Sequence, residues 1–179
     1  SIFRWQSAIA LAIGTSGRTV PVTSSAGATL TAQAGSSIFA SSSGPMTLSS
    51  LNAGTSISYT QSSGTITVGQ VDATAGGTVA LTATSGAIQN DADGGNRIRG
   101  NQVTLSAAQG SIGSGTALDV ATPKLLLTAN GSIAVNDTVT LDTLSVTRGS
   151  GSSGSIAIGA AAGQSFTLAD TASEHQIQQ

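Results

Sequence analysis

Apolar residues recur along this chain in short alternating phrases, about one phrase every 22 residues. Each phrase centres on an anchor flanked mostly by small or hydroxyl residues. The series runs Thr29-Leu30-Thr31, Ser58-Tyr59-Thr60, Ala80-Leu81-Thr82, Thr104-Leu105-Ser106, Leu126-Leu127-Thr128, Ser145-Val146-Thr147 and Thr167-Leu168-Ala169. From Tyr59 onward the anchors lie 22, 24, 22, 19 and 22 residues apart. Two residues before each stands another apolar or small side chain: Ala28, Ile57, Val79, Val103, Leu125, Leu144 and Phe166. A Gly-containing turn follows and leads into Ile, as in Gly64-Thr65-Ile66, Gly86-Ala87-Ile88, Gly110-Ser111-Ile112, Gly131-Ser132-Ile133 and Gly154-Ser155-Ile156. A fixed period of roughly 20 to 30 residues marks stacked repeats, because one unit cannot bury its own apolar face.

Period-two alternation dominates over period 3.6, so the segments read as strands and not helices. Each repeat holds three of them. One coil gives Val79-Ala80-Leu81, Ala87-Ile88-Gln89 and Arg97-Ile98-Arg99. The next gives Val103-Thr104-Leu105, Ser111-Ile112-Gly113 and Leu118-Asp119-Val120, and the one after gives Leu125-Leu126-Leu127, Ile133-Ala134-Val135 and Val139-Thr140-Leu141. Three short strands and three turns predict one circuit of an all-β, right-handed parallel β-helix, a β-solenoid of about seven coils. Stacked at about 4.8 Å, these make a rod of roughly 35 Å. Residues 90–97 and Arg148–Gly154 predict surface loops. The reading is one solenoid over 1–179, with 1–27 an irregular first coil and 28–179 the repeats. Residues 8–13, where Ile9, Leu11 and Ile13 alternate with Ala, predict a first strand. Met46-Thr47-Leu48 reads as an extra strand, and the spacing does not fix the register of residues 1–58.

Composition narrows the chemistry. Gly, Ala, Ser and Thr exceed half the chain, Leu, Ile, Val and Phe are about a fifth, and charged residues are 8%. Low hydrophobicity signals disorder when net charge is high; here net charge is −2 and the apolar residues are periodic, which predicts an ordered chain with a thin core. With no Cys there is no disulfide and no thiolate metal site. Six scattered basic residues do not make the clustered cationic face that nucleic acid requires. No run reaches the roughly 20 apolar residues of a membrane span.

Phrases such as Val103-Thr104-Leu105-Ser106-Ala107-Ala108-Gln109-Gly110-Ser111-Ile112 and Leu127-Thr128-Ala129-Asn130-Gly131-Ser132-Ile133 resemble the rod repeats of filamentous haemagglutinin-type adhesins. The resemblance covers about residues 28–179. It implies a right-handed β-helix segment of a large two-partner-secretion exoprotein at the bacterial cell surface. The Asn-Pro-Asn-type motif of that family's secretion domain is absent here, the prolines being Pro21, Pro45 and Pro123. The resemblance therefore implies rod, and carries over no site residue. Expected partners are neighbouring coils of the same exoprotein, end-to-end copies in a filament, or a host-cell or carbohydrate receptor.

Candidate chemistry is sparse. Catalysis on a β-helix by a carbohydrate-active enzyme needs clustered carboxylates, whereas Asp119 and Asp142 read as outward strand positions in different coils. The single His175, beside Glu174, reads as a solvated tail residue. Asp91, Asp93 and Asn96, around Gly94-Gly95, are the candidate calcium ligands; the loop lacks a bidentate Glu, and a polar turn is the stronger reading. No other cofactor is expected. Phe3, Trp5 and Tyr59 suit core or cap packing. Arg97 and Arg99 flank Ile98 and should both point outward, a solvated pair or a site for an anionic partner. Thr29 with Thr31, Ser58 with Thr60, Thr104 with Ser106 and Ser145 with Thr147 would line one outer face, interrupted at Ala80, Leu126 and Ala169. Such an array carries the alternative reading of an ice-binding solenoid; Ser and Thr also suit any solvent-facing strand.

Overall fold

The computed structural model describes residues 2–6, 11–74, 76–95, 97–149, 152, 154–160 and 167–170, with backbone alone for 3–6 and 167–170. Seventeen strands and no helix appear among the described residues. In chain order they are β1 (Ile2–Gln6), β2 (Val20–Val22), β3 (Thr29–Ala34), β4 (Ser37–Ser42), β5 (Met46–Ala53) and β6 (Ser56–Gln61). Then come β7 (Ile66–Asp72), β8 (Thr78–Ala83), β9 (Ile88–Asn90), β10 (Arg97–Arg99), β11 (Gln102–Ala107) and β12 (Leu118–Ala121). The last are β13 (Lys124–Ala129), β14 (Ile133–Asp137), β15 (Thr143–Arg148), β16 (Ile156–Gly159) and β17 (Thr167–Asp170).

The strands form two parallel sheets. One runs β1-β3-β5-β7-β10-β12-β14-β16, with β9 also on β7; the other runs β17-β15-β13-β11-β8-β6-β4-β2. Each coil contributes to both sheets before the chain climbs one level, which is a parallel β-solenoid of about seven turns. Like residues stack because like positions recur. In the second sheet Ile38, Ile57, Val79, Val103, Leu125 and Leu144 make one inward ladder, and Ala40, Tyr59, Leu81, Leu105, Leu127 and Val146 the next. Across the turn, Met46, Ile66, Ile88, Ile112, Ile133 and Ile156 form a third. Apart from Val146 and Ile156, these side chains are buried. Each fully buried one contributes roughly 1.5–3 kcal/mol of transfer free energy.

Several expectations require correction. Leu30 is not the partner of Tyr59: it stacks on Leu48 in the first sheet, and Ala40 stands at Tyr59's level. That accounts for the long gap between those two anchors, and makes Met46-Thr47-Leu48 a regular part of β5. Leu168 pairs with Leu144, two residues before the Val146 anchor. Phe166 lies outside the described residues. Val139-Thr140-Leu141 forms no strand; β14 instead runs on through Asn136 and Asp137. Of the strand expected over residues 8–13, residues 8–10 lie outside the described residues, and within 11–13 only Ile13 pairs, by a single bridge to Ile38; a strand is described ahead of it at Ile2–Gln6.

The three-segment coil holds in the middle of the rod. The first sheet bends at a corner that begins as one extra residue in β5, where the register to β3 shifts between Leu30 and Thr31. In later coils the corner opens into residues 91–95 and then 113–117, and β14 crosses it without a break. Unequal corners explain the drift in period, since a loop on the outside of a coil can lengthen without disturbing the ladder.

Arg148, expected at the start of a surface loop, is inward and only 9% exposed. Among the described residues it is the last of the ladder Ser42, Gln61, Ala83, Ala107, Ala129, Arg148. Its guanidinium donates to the carbonyls of Gly154 at 2.7 Å and Gly131 at 3.0 Å, tying the loop to the coil below. At the other end Tyr59 Oη donates to Ser42 Oγ at 2.6 Å, and burial raises the Tyr59 pKa, so the phenol stays neutral.

Candidate functional site

Turn length shapes one corner of the rod. The turns from the first sheet to the second are two residues long after β10 (Gly100, Asn101) and after β12 (Thr122, Pro123). They are five residues long after β7 (73–77) and after β14 (138–142). Beside the long 138–142 turn, the two short ones leave an open groove of about 820 Å³ lined by Arg97, Arg99, Gly100, Ala121, Pro123 and residues 138–140 and 142. Ligand sites commonly span about 300–1,000 Å³.

Arg97 and Arg99 reach this groove from alternate positions of β10, the same side of a strand. Arg99 is fixed: its Nη2 lies 2.9 Å from Asp72 Oδ2 and its Nε donates to Asp72 Oδ1 at 3.0 Å. Asp72 Oδ1 also accepts from the Thr74 backbone N–H at 2.8 Å, where Thr74 holds a left-handed φ of 55°. Arg97 is exposed and has no ion pair among the described residues. A half-exposed ion pair is worth about 0–1 kcal/mol, and the turn bond adds about 1 kcal/mol. Asp72→Ala is expected to cost roughly 1–2 kcal/mol by urea denaturation; a loss below about 0.3 kcal/mol would show that the bonds are not formed in solution.

The groove wall at 138–142 is set by Asp137. This residue is an inward position of β14, stacked on Val120, and only 3% exposed. Its Oδ1 accepts from the backbone N–H groups of Val139 at 3.0 Å and Thr122 at 3.4 Å, while Oδ2 has no hydrogen-bond partner among the described residues. Burial raises its pKa above 3.8, the backbone hydrogen bonds opposing in part. Between the ordinary carboxylate value and the raised one, the folded chain therefore holds a proton that the unfolded chain releases. That stabilisation is complete below the ordinary carboxylate value and is lost as pH rises through the raised folded value. Asp137→Asn is expected to gain stability over the native chain at pH 7 and to gain less near pH 4. Urea midpoints of both proteins at the two pH values would measure it, and an equal difference at both would exclude the titration.

Asp119 and Asp142, read from the sequence as outward strand positions, differ in setting. Asp142 lines the groove, but from the turn before β15 and not from a strand. Asp119 stands on the outer face of β12, where its Oδ1 accepts from Asn136 Nδ2 at 3.2 Å. In the candidate calcium loop, side-chain oxygens of Asn90 and Asp91 accept from the N–H groups two residues on, at 3.1 and 3.0 Å, the bonds of polar turns. Among the described residues no three His, Asp or Glu gather as a metal site; Asn96, Glu174 and His175 lie outside them. Phe3 and Trp5 belong to β1, opposite Leu30 and Ala32.

The hydroxyl face is placed differently from the expectation. Thr29 and Thr31 belong to the first sheet. On the second sheet one outer row, Ser41, Thr60, Thr82, Ser106, Thr128 and Thr147, is unbroken. Its neighbour, Phe39, Ser58, Ala80, Thr104, Leu126 and Ser145, alternates hydroxyl and apolar side chains. Sequence reasoning found the Arg pair but missed Pro123, Val139 and Asp137. The one available signal was the contrast between Thr122-Pro123 and the longer 138–142 at the same place in successive coils.

In comparison with known proteins, no family model, no curated protein and no solved structure matches this chain.

Proposed function

We propose that this chain is a structural and adhesive rod segment of a large secreted protein at the bacterial surface, and not an enzyme. The observation that carries the reading is the continuous in-register stack: one apolar core and two parallel sheets run the length of the rod. Such an object spans distance stiffly and displays outward rows and corners to a partner. The likeness of its phrases to filamentous haemagglutinin-type rod repeats points the same way. Neighbouring coils of the same exoprotein, or second copies meeting end to end, would continue its ladders. Beads coated with the chain are expected to be retained on animal-cell monolayers under flow better than albumin-coated beads; equal retention would remove the adhesive role.

The unbroken row from Ser41 to Thr147 favours a second reading, an ice-binding solenoid. Thermal hysteresis at millimolar protein tests it. We expect none, because Phe39, Ala80 and Leu126 interrupt the adjoining row and a lattice match needs both.

A further inference from the structure

We infer that Asp93 is a site of spontaneous covalent modification in the folded chain, converting to isoaspartate, while Asn130-Gly131 is held against the same reaction. This chemistry is independent of what the rod binds. The Gly94 backbone nitrogen attacks Asp93 Cγ: a C–N bond forms, a carboxyl C–O bond breaks, and water leaves. Water then adds to either carbonyl of the succinimide ring and restores one carboxyl group. Opening at the α-carbonyl leaves the main chain running through Cγ, one methylene longer, with no net change in mass. At an Asn-Gly pair ammonia leaves in the first step, and hydrolysis gives Asp or isoaspartate. Gly follows in both cases because a Cβ on the attacking residue would obstruct ring closure. The chain holds one pair of each kind, Asn130-Gly131 and Asp93-Gly94. In an unfolded chain the Asn pair reacts first, since ammonia leaves an amide more readily than water leaves an ionised carboxylate.

The fold reverses that order. Gly131 N–H, the would-be nucleophile, donates to the Gly110 carbonyl at 2.8 Å. Its own carbonyl accepts from Arg148 Nη2 at 3.0 Å, and Asn130 N–H donates to the Ala107 carbonyl at 3.4 Å. Just beyond, Ser132 N–H donates to Ser111 Oγ at 3.1 Å. Asn130 Oδ1 is buried, and a Cβ on Gly149 would come within 2.8 Å of it. Bringing the Gly131 nitrogen onto Asn130 Cγ means turning this peptide out of its ladder and breaking those bonds, which requires local unfolding.

Asp93 and Gly94 meet no such restraint. Both are exposed in the corner loop between β9 and β10. Gly94 N–H has no hydrogen-bond partner among the described residues, and nothing lies within 4 Å of a Cβ placed on Gly94. The Asp93 carboxylate likewise makes no hydrogen bond or ion pair among the described residues. Asp91, in the same loop, is held differently. Its N–H donates to the Val68 carbonyl at 3.1 Å, its Oδ1 accepts from Asp93 N–H at 3.0 Å, and the residue after it is Ala92. An extra methylene at Asp93 falls on the outside of a coil, where added length costs little, so the β9 and β10 ladders can persist in the product.

The test is incubation of the folded 179-residue chain in heavy-oxygen water near neutral pH for several weeks, followed by peptide mapping by mass spectrometry. We expect heavy oxygen to enter at Asp93, and isoaspartyl methyltransferase to label the same peptide, while Asn130 keeps its amide. In urea above the unfolding midpoint Asn130 should instead react first, about ten-fold or more faster than in the folded chain, as the loss of several hydrogen bonds implies. Asp93→Asn places an Asn-Gly pair at both positions of one molecule. In that folded variant position 93 should lose ammonia about ten-fold or more faster than Asn130. Gly94→Ala should remove most of the labelling at Asp93. An Asp93 peptide free of heavy oxygen and isoaspartate, deamidation of Asn130 as fast folded as in urea, equal rates at the two positions of Asp93→Asn, or full labelling in Gly94→Ala would overturn the inference.

Discussion

Gly86→Ala is expected to destabilise the chain by roughly 3 kcal/mol or more, one of the largest effects of any single methyl group in this protein. Gly86 stands in a column of turn glycines with Gly64 below and Gly110 above. A Cβ on Gly86 would fall well inside contact distance of the Gly64 carbonyl oxygen, and one on Gly110 would do the same to Gly86. Those neighbours are backbone, held by the ladders on either side, so neither can rotate away. The coils would have to separate at this corner, where Ile66, Ile88 and Ile112 stack immediately after the turn. Gly94→Ala is the control, since nothing lies within 4 Å of its added Cβ. Its change should stay within about 0.5 kcal/mol. Equal urea midpoints for the two variants would mean that the turn column is looser than described.

Leu105→Ala should cost roughly 3–4 kcal/mol. Leu105 is fully buried at the middle of its ladder, with Leu81 below and Leu127 above. Truncation leaves a cavity walled by two ladders of hydrogen-bonded strands, which cannot collapse to fill it. The position also lies between coils that have no other core to lean on, because each repeat contacts chiefly its neighbours. Leu126→Ala supplies the contrast: on the neighbouring strand β13 it stands opposite Thr104, points outward and is only half-buried, so about 1 kcal/mol or less is expected. A pair of thermal melts decides it. If both substitutions cost the same, the inward and outward assignment of β11 and β13 is wrong.

Much of the architecture was legible because a solenoid repeats its instructions. Ile57, Val79, Val103 and Leu125 stack on one another as their spacing implied, and Ile66, Ile88, Ile112 and Ile133 do likewise. The failures share one cause. Leu30, Leu168 and Val139-Thr140-Leu141 each carry the right local alternation, but alternation identifies a strand without saying which sheet or level it joins. Leu30 sits in the first sheet because the chain turns at Gly35-Ser36 and delivers Ala40 to the level of Tyr59. Val139 is released into a turn because β14 carries two further residues of strand through Asn136 and Asp137.

The groove was hidden for a related reason. Arg97 and Arg99 could be read as an outward pair from their flanking of Ile98. That Arg99 is tied to Asp72 depends on a pairing 27 residues back in the chain, across a coil whose length no local pattern fixes. Asp137 was invisible as a buried carboxylate, because its inward position follows from pairing with Val120 and not from any apolar neighbour in sequence.

Sequence alone determined the parallel stack, the approximate period and the inward ladders, since these follow from side-chain periodicity and from the small residues that turns demand. Tertiary structure alone decided the register of the first two coils, the burial of Arg148 and Asp137, and the union of Arg97, Arg99, Pro123, Val139 and Asp142 around one groove. Those depend on how many residues each corner absorbs. Corner length costs little free energy on the outside of a coil, so it leaves almost no trace in the hydrophobic pattern.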